Sequence, residues 1–316
     1  MNFGSLVDNF PALTITGLAA GGIYALIALG YTLVYGVLRL INFAHSEVFM
    51  VGTFAALWTW GALGLDQDSA RPGLWLAFGY ILIAMVFAAL ASGGTAMVVE
   101  LIAYRPLRRR NAPPLTFLIT AIGASYAISE LLGSLTIRRP FGIPPMLPTG
   151  VLFDLGEWSF TWVQLLTVVF AVAMMYGLNW FVQRTRFGRG IRAVAQDPNT
   201  AALMGVNQSR VILLVFLLGG LMAGIAGVFN DLQIGQTTFS IGFVFGLKAF
   251  SAAVLGGIGN LKGALLGGLL LGVVENYAAV LFGGHWRDLV GFVVLILLLM
   301  FKPTGLLGES LGRARA

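Results

Sequence analysis

The chain has 316 residues, of which 58% are hydrophobic and only 10% charged, with a net charge of +6. A water-soluble domain carries roughly 25% charged residues, so this composition excludes a soluble globule and points to an integral membrane protein. Cysteine is absent and there are two histidines, which excludes disulfides, thiolate metal sites and histidine-rich metal centres.

Transmembrane helices need about 20 mostly apolar residues. Nine apolar segments meet or approach that requirement, near 12–37, 47–64, 74–103, 115–135, 160–182, 211–229, 240–257, 263–282 and 287–301. The chain is therefore read as all-α, a polytopic helical membrane protein with about 8–10 transmembrane helices, some broken. It forms a single transmembrane domain over residues 1–316. The N-terminus lacks the features of a removed signal peptide. The first segment contains "GLAAGG" and is expected to begin as a short helix lying at the surface. The third exceeds one straight crossing, so a tilt or break is expected there.

The basic residues sit at the ends of the apolar runs, as membrane orientation requires, and this placement speaks against nucleic acid as a partner. With "RPLRRR" (Arg105–Arg110) inside, fourteen Lys and Arg fall on inside segments and four (Arg71, Arg138, Arg139, Arg287) outside. Acids outside the spans fall mainly on the outer side, among them Asp8, Asp154, Glu157, Asp231 and Asp288. This orientation places the N-terminus out and the C-terminus in. The longest outer connection, 137–159, contains "RRPFGIPPMLP", whose prolines favour an extended, ordered loop.

Polar residues inside apolar segments need a reason, because a charge at the bilayer centre costs about 3 kcal/mol or more. In "INFAHSEVFMVGT", Asn42, His45 and Glu47 break the apolar pattern near the end of a span. Either they line a translocation path at a broken helix, or they snorkel to water at the inner interface. Lys248 and Glu275 lie in consecutive antiparallel spans and invite a buried pair, structural or in contact with solute. Glu130 has no partner legible in the sequence, and Asn179, Asn230, Gln233 and Gln236 are weaker candidates. Gly220-x-x-x-Gly224, Gly263-x-x-x-Gly267 and Gly268-x-x-x-Gly272 place small faces one turn apart, as closely packed membrane helices use.

The segment at about 184–210 is the largest thing the chain shows to the inside. "FGRGIRAVAQ" reads as a basic helix. Asp197 caps a second, short helix, with Pro198 in its first turn and Gly205 as a left-handed stop. Ile191, Val194, Ala195, Ala202, Leu203 and Met204 are expected to present an apolar face to a soluble partner. The bland alternative is a basic loop that only holds topology.

Three blocks carry a resemblance: "GGIYALIALGYTLVYGVLRLINFAHSEVFMVGTF" (Gly21–Phe54), "RAVAQDPNTAALMGVN" (Arg192–Asn207) and "GLKAFSAAVLGGIGNLKGALLGG" (Gly246–Gly268). Together they resemble the membrane permease of branched-chain amino acid ABC importers, the LivH type, from about residue 12 to 302. The resemblance implies a type II importer-like permease in the bacterial cytoplasmic membrane. It implies a second, LivM-type permease chain, two cytoplasmic ATPase subunits holding ATP and Mg, and an extracytoplasmic solute-binding protein. ATP-driven alternating access would be coupled through 192–207, with Arg192, Ala195, Asp197, Pro198, Ala201, Ala202, Leu203, Met204 and Gly205 as the ATPase-coupling residues. Of the general importer motif, Glu-Ala-Ala and a Gly four residues on, only Ala201 and Gly205 match. Branched-chain amino acids are the implied solute; urea or short amides are the alternative within the family.

"GGIGNLKGA" (Gly256–Ala264) lacks the order of a phosphate loop, so ATP chemistry is assigned to another chain and this chain is read as no enzyme with no cofactor of its own. The competing class is an ion-driven secondary transporter or channel using Lys248, Glu275 or Glu47.

Overall fold

The computed structural model describes residues 9–148, 151–155 and 158–308, together with Gly4 and Leu6. Asp8, Glu157, Arg313 and Arg315, used above to orient the chain, lie outside the described residues. Each of the nine apolar segments coincides with a helix. They are α1 (Phe10–Leu38), α2 (His45–Ala62), α3 (Leu74–Val99), α5 (Pro114–Leu135), α6 (Trp162–Arg184), α9 (Gln208–Ile234), α10 (Ile241–Gly256), α11 (Leu261–Phe282) and α12 (Arg287–Phe301). Shorter helices described are α4 (Arg105–Arg109), α7 (Arg186–Gln196) and α8 (Pro198–Leu203). Among the described residues, seven helices are long and apolar enough to cross a membrane. At 16 residues, α10 spans only about 24 Å, short of the roughly 30 Å hydrocarbon core. The chain is thus an all-α polytopic membrane protein, with four short strands in its connections.

Of two expectations about single helices, one is corrected and one is met. The first segment does not begin as a surface helix: α1 runs unbroken through "GLAAGG", and Gly21 and Gly22 are buried. A Cβ at Gly21 would sit 2.7 Å from the Cα of Leu269 in α11. The glycines therefore serve contact between two backbones, and with no water to compete for the peptide groups the helix keeps its ladder. The third segment does carry its irregularity, as a π turn at Glu100–Tyr104, and the rod continues to Arg109. Glu100 is buried there and pairs with Arg105 at 3.0 Å and with Arg108. A buried acid on that rod was not singled out from the sequence, although the two arginines follow it closely.

The α11–α1 and α9–α3 pairs are the most extensive in the bundle. Both use the small faces read from the sequence: Gly268 meets Ala25, and Gly220 and Gly224 meet Ser92 and Ala89. The lipid supplies no hydrophobic drive between helices, so close approach and van der Waals contact hold these pairs. Leu82, Val86, Phe87 and Leu90 on α3 and Ile119 and Leu131 on α5 stay exposed, an apolar perimeter suited to lipid or to another membrane chain. The connection before α6 is extended as expected. Phe141–Gly142 pairs with Gln236–Thr237, and Val151–Leu155 forms a hairpin with Trp158–Thr161 that the sequence reading did not foresee.

Candidate functional site

At one end of the bundle the turn after α1, the end of the α3–α4 rod, the α10–α11 turn and α7 come together. Tyr104 donates to Asn42, Gly36 lies against Gly259, and α7 packs on α1 and α9. This end carries the basic segment. Thr185 opens α7 by accepting the Gly188 amide at 2.9 Å, and Gly188 has no room for a side chain against the carbonyls of Phe181 and Val182. Arg192 donates to the Val182 carbonyl and ties α7 back to the end of α6.

Asp197 then caps α8. Its Oδ1 accepts the amides of Asn199 at 2.9 Å and Thr200 at 3.2 Å, and its Oδ2 accepts the Thr200 hydroxyl at 2.5 Å. These bonds, that from the Thr200 hydroxyl foremost, hold its carboxyl below the usual carboxylate range. Pro198 takes the first turn, where its missing N–H costs nothing. Gly205 ends the element at φ +82°, a conformation L side chains rarely adopt. The apolar tip of α8 points away from the protein: Leu203 is 87% and Met204 80% exposed.

The apolar face read from the sequence is divided. Ala202, Leu203 and Met204 are exposed and Ala195 is half-buried, but Ile191, Val194 and Ala201 are buried against the bundle. Those three face this chain's own α1 and α9 side, so their side chains are not on the surface open to a partner. The helix is amphipathic as expected, but its inner stripe belongs to its own core.

Asn42, His45 and Glu47 gather where α2 begins, inside the bundle. All three are buried, so they do not snorkel to water. Asn42 Oδ1 accepts from Tyr104 at 3.1 Å. The His45 imidazole covers Gly30, well within α1, and meets the Tyr31 ring edge-on. Glu47 Oε1 accepts from Ser125 at 3.2 Å, while Oε2 faces Gly242 without a partner. Gly242 and Gly246 lie against Ser46, so the first turns of α2 and α10 abut within the protein. Two helix N-termini thus converge on one polar spot, where their partial positive ends favour the acidic Glu47.

Lys248 and Glu275 do form a pair, at 3.1 Å and nearly buried. The pair is part of a larger network than the sequence reading gave. Asp288 meets Lys248 at 2.6 Å, Arg287 meets Glu275 at 3.3 Å, and Tyr24 donates to Glu275 at 2.8 Å. Arg287 and Asp288, taken above as loop charges, close the network because α12 starts beside α11. Glu130 also has a partner, an exposed pair with Arg138 one turn beyond its helix.

Sequence reasoning misplaced Asp231. It lies within α9, completely buried, not in an outer loop, with the Asn230 side chain beside it and no ion pair among the described residues. The neighbouring Asn230 is likewise completely buried. A signal existed: Gly235, left-handed at φ +76°, is the natural stop of the helix and lies beyond both residues.

The family model described as branched-chain amino acid transport system, permease component, matches residues 13–299. The high-affinity branched-chain amino acid transport system permease protein BraD of Pseudomonas aeruginosa is 41% identical over 300 residues, 93% of this chain and 94% of that protein. The corresponding permease LivH of Escherichia coli is 38% identical over 306 residues, again 93% of this chain and 94% of that protein. Among solved structures, PsaBC from Streptococcus pneumoniae in complex with Fab aligns with a TM-score of 0.47 at 12% identity, covering 92% of this chain and 91% of that one.

Proposed function

The chain belongs to the branched-chain amino acid transport system permease family, and from that membership we propose that it forms half of the translocation path of an ATP-driven importer for a branched-chain amino acid. A second, related permease chain forms the other half. Two ATPase subunits on the cytoplasmic side bind ATP with Mg and dock on 184–210, and a soluble binding protein delivers solute from outside. The chain sits in the cytoplasmic membrane with its C-terminus inside. Alternating access follows when the ATPases close and displace α8, which moves α6, α1 and α9 through α7.

The observation that carries this reading is the capped helix α8 with its bare Leu203–Met204 tip. Two adjacent large apolar side chains at the tip of a capped helix are suited to being covered by another surface. Topology alone would need only the arginines. The test is leucine uptake and ATP hydrolysis by the assembled importer in proteoliposomes. Leu203→Ser with Met204→Ser is expected to lower ATP-dependent uptake at least tenfold and to weaken retention of the ATPase subunits on purification. Uptake by the isolated chain, driven by an ion gradient without ATPase subunits, would replace this reading with a secondary transporter.

A further inference from the structure

At the end of the bundle opposite α7 and α8, a cavity of about 540 Å³ opens between α1, α6 and α9 beneath the proline-rich connection 143–148. One wall is aliphatic, with Ile143, Met146, Leu147 and Leu232. Thr16 and Gln164 make a polar corner, the Gln164 amide donating to the Thr16 hydroxyl at 3.3 Å. Asp231 and Gln233 belong to the same lining. Asp231 forms no ion pair among the described residues, both its oxygens are shielded from solvent, and the Gln233 Oε1 is likewise buried and unpaired.

A shielded carboxylate that lacks a cation is strongly unfavourable, and such acids in membrane helices mark functional sites. The groups left open here are mostly acceptors, one of them a carboxyl group. A divalent metal asks for more than that: calcium takes six to eight oxygens, commonly from several carboxylates. The described residues hold no cluster of three acids or histidines. An ammonium group suits the set better, since it brings one positive charge and three N–H donors. The aliphatic wall beside it suits a short branched hydrocarbon.

We propose that this cavity binds the ammonium end of a small aliphatic amino acid or amine, with Asp231 as its counter-ion and the Ile143–Leu147–Leu232 wall holding its hydrocarbon. The identification with the transported solute rests on the importer reading above; the binding of an aliphatic ammonium does not.

The experiment uses the assembled importer in lipid nanodiscs and reads thermal protection by four probes at equal concentration: isopentylamine, isopentanol, sodium chloride and L-leucine. The wild type is expected to be protected by the amine and by leucine, and by neither the alcohol nor sodium. In Asp231→Asn the half-protecting amine concentration should rise roughly 30-fold or more, as expected for loss of a buried charge partner. Leu232→Ala, which shortens the aliphatic wall, supplies a second variant if Asp231→Asn does not fold: it should weaken protection by isopentylamine and by leucine alike, and unchanged protection would overturn the site. Equal protection by amine and alcohol, protection by sodium in place of the amine, or an unchanged Asp231→Asn would overturn the site. If amine binding depends on Asp231 while leucine neither protects nor is transported, the site stands and the importer's solute has been misassigned.

Discussion

Replacing Lys248 with Met tests whether the intramembrane charge network holds helices or contacts solute. Lys248 is the cation shared by Glu275 at 3.1 Å and Asp288 at 2.6 Å, with side-chain exposures of 10% for Lys248 and 2% for Glu275. Breaking a buried pair by removing one partner costs about 3–5 kcal/mol when the other charge is left alone. Here Glu275 keeps Arg287 at 3.3 Å and the Tyr24 hydroxyl at 2.8 Å. Asp288 is half exposed and can regain water. The loss should therefore fall below that range, at roughly 2 kcal/mol, or about 30-fold in the folded-to-unfolded ratio. Adding Glu275→Gln removes the charge left undercompensated, so the double variant should be more stable than Lys248→Met alone by about 1 kcal/mol or more. Equilibrium unfolding in mixed detergent micelles measures Lys248→Met, Glu275→Gln and the double variant. If Lys248→Met is as stable as the wild type, or if the second substitution adds its full cost to the first, the network does not hold the fold. A stable Lys248→Met protein that fails to bind leucine would assign the lysine to the solute.

Gly268→Leu would place a Cβ 2.6 Å from the Cα of Ala25, where carbons normally sit about 3.5–4.0 Å apart, so α1 and α11 must separate by about 1 Å. A loss of about 1–3 kcal/mol is expected in the same unfolding assay, whereas Gly177→Leu, with open space around it, should change stability little. Asp197→Ala should remove protection of the Thr200 amide in hydrogen–deuterium exchange, while Asp197→Asn, which still offers Oδ1, should keep most of it. Because the folded carboxyl titrates below its ordinary value, the charged cap is present above the usual carboxylate range and is lost only as pH falls through the lowered value. Protection corrected for intrinsic exchange should then be flat from about pH 5 to pH 8.

The fold was legible wherever a single chemical contrast decides it. Apolar runs bounded by arginines mark helices in lipid whatever packs against them, and all nine runs became helices. Asp197, Pro198 and Gly205 were legible because capping and left-handed turns are local, fixed by residues within a few positions. Lys248 and Glu275 were legible as opposite charges on consecutive spans. What stayed hidden depends on which helix lies beside which. Asp231 looks like a loop acid until α1 and α6 are seen to enclose the end of α9, and Arg287 looks solvated until α12 starts beside Glu275. "GLAAGG" looks like a breaker in isolation, and only the neighbouring α11 turns it into a contact surface.

The same distinction explains how a surface element can move a membrane core. An amphipathic stretch announces that one face will be covered, without saying by what, and α7 and α8 answer the question twice. Ile191, Val194 and Ala201 are covered by this chain, while Leu203 and Met204 are left bare. Arg192 adds a bond to the last turn of α6, and Gly188 brings α7 against the same backbone. A load on the bare tip is therefore carried by packed side chains into α1 and α9 and by a hydrogen bond into α6, with no flexible linker between. A close-packed interior passes on such a displacement because it has few voids to absorb it. Those same three helices form the cavity that holds Asp231 at the far end of the bundle. On the proposed mechanism, a push at α8 and a change in the Asp231 cavity are two ends of one rigid-body movement.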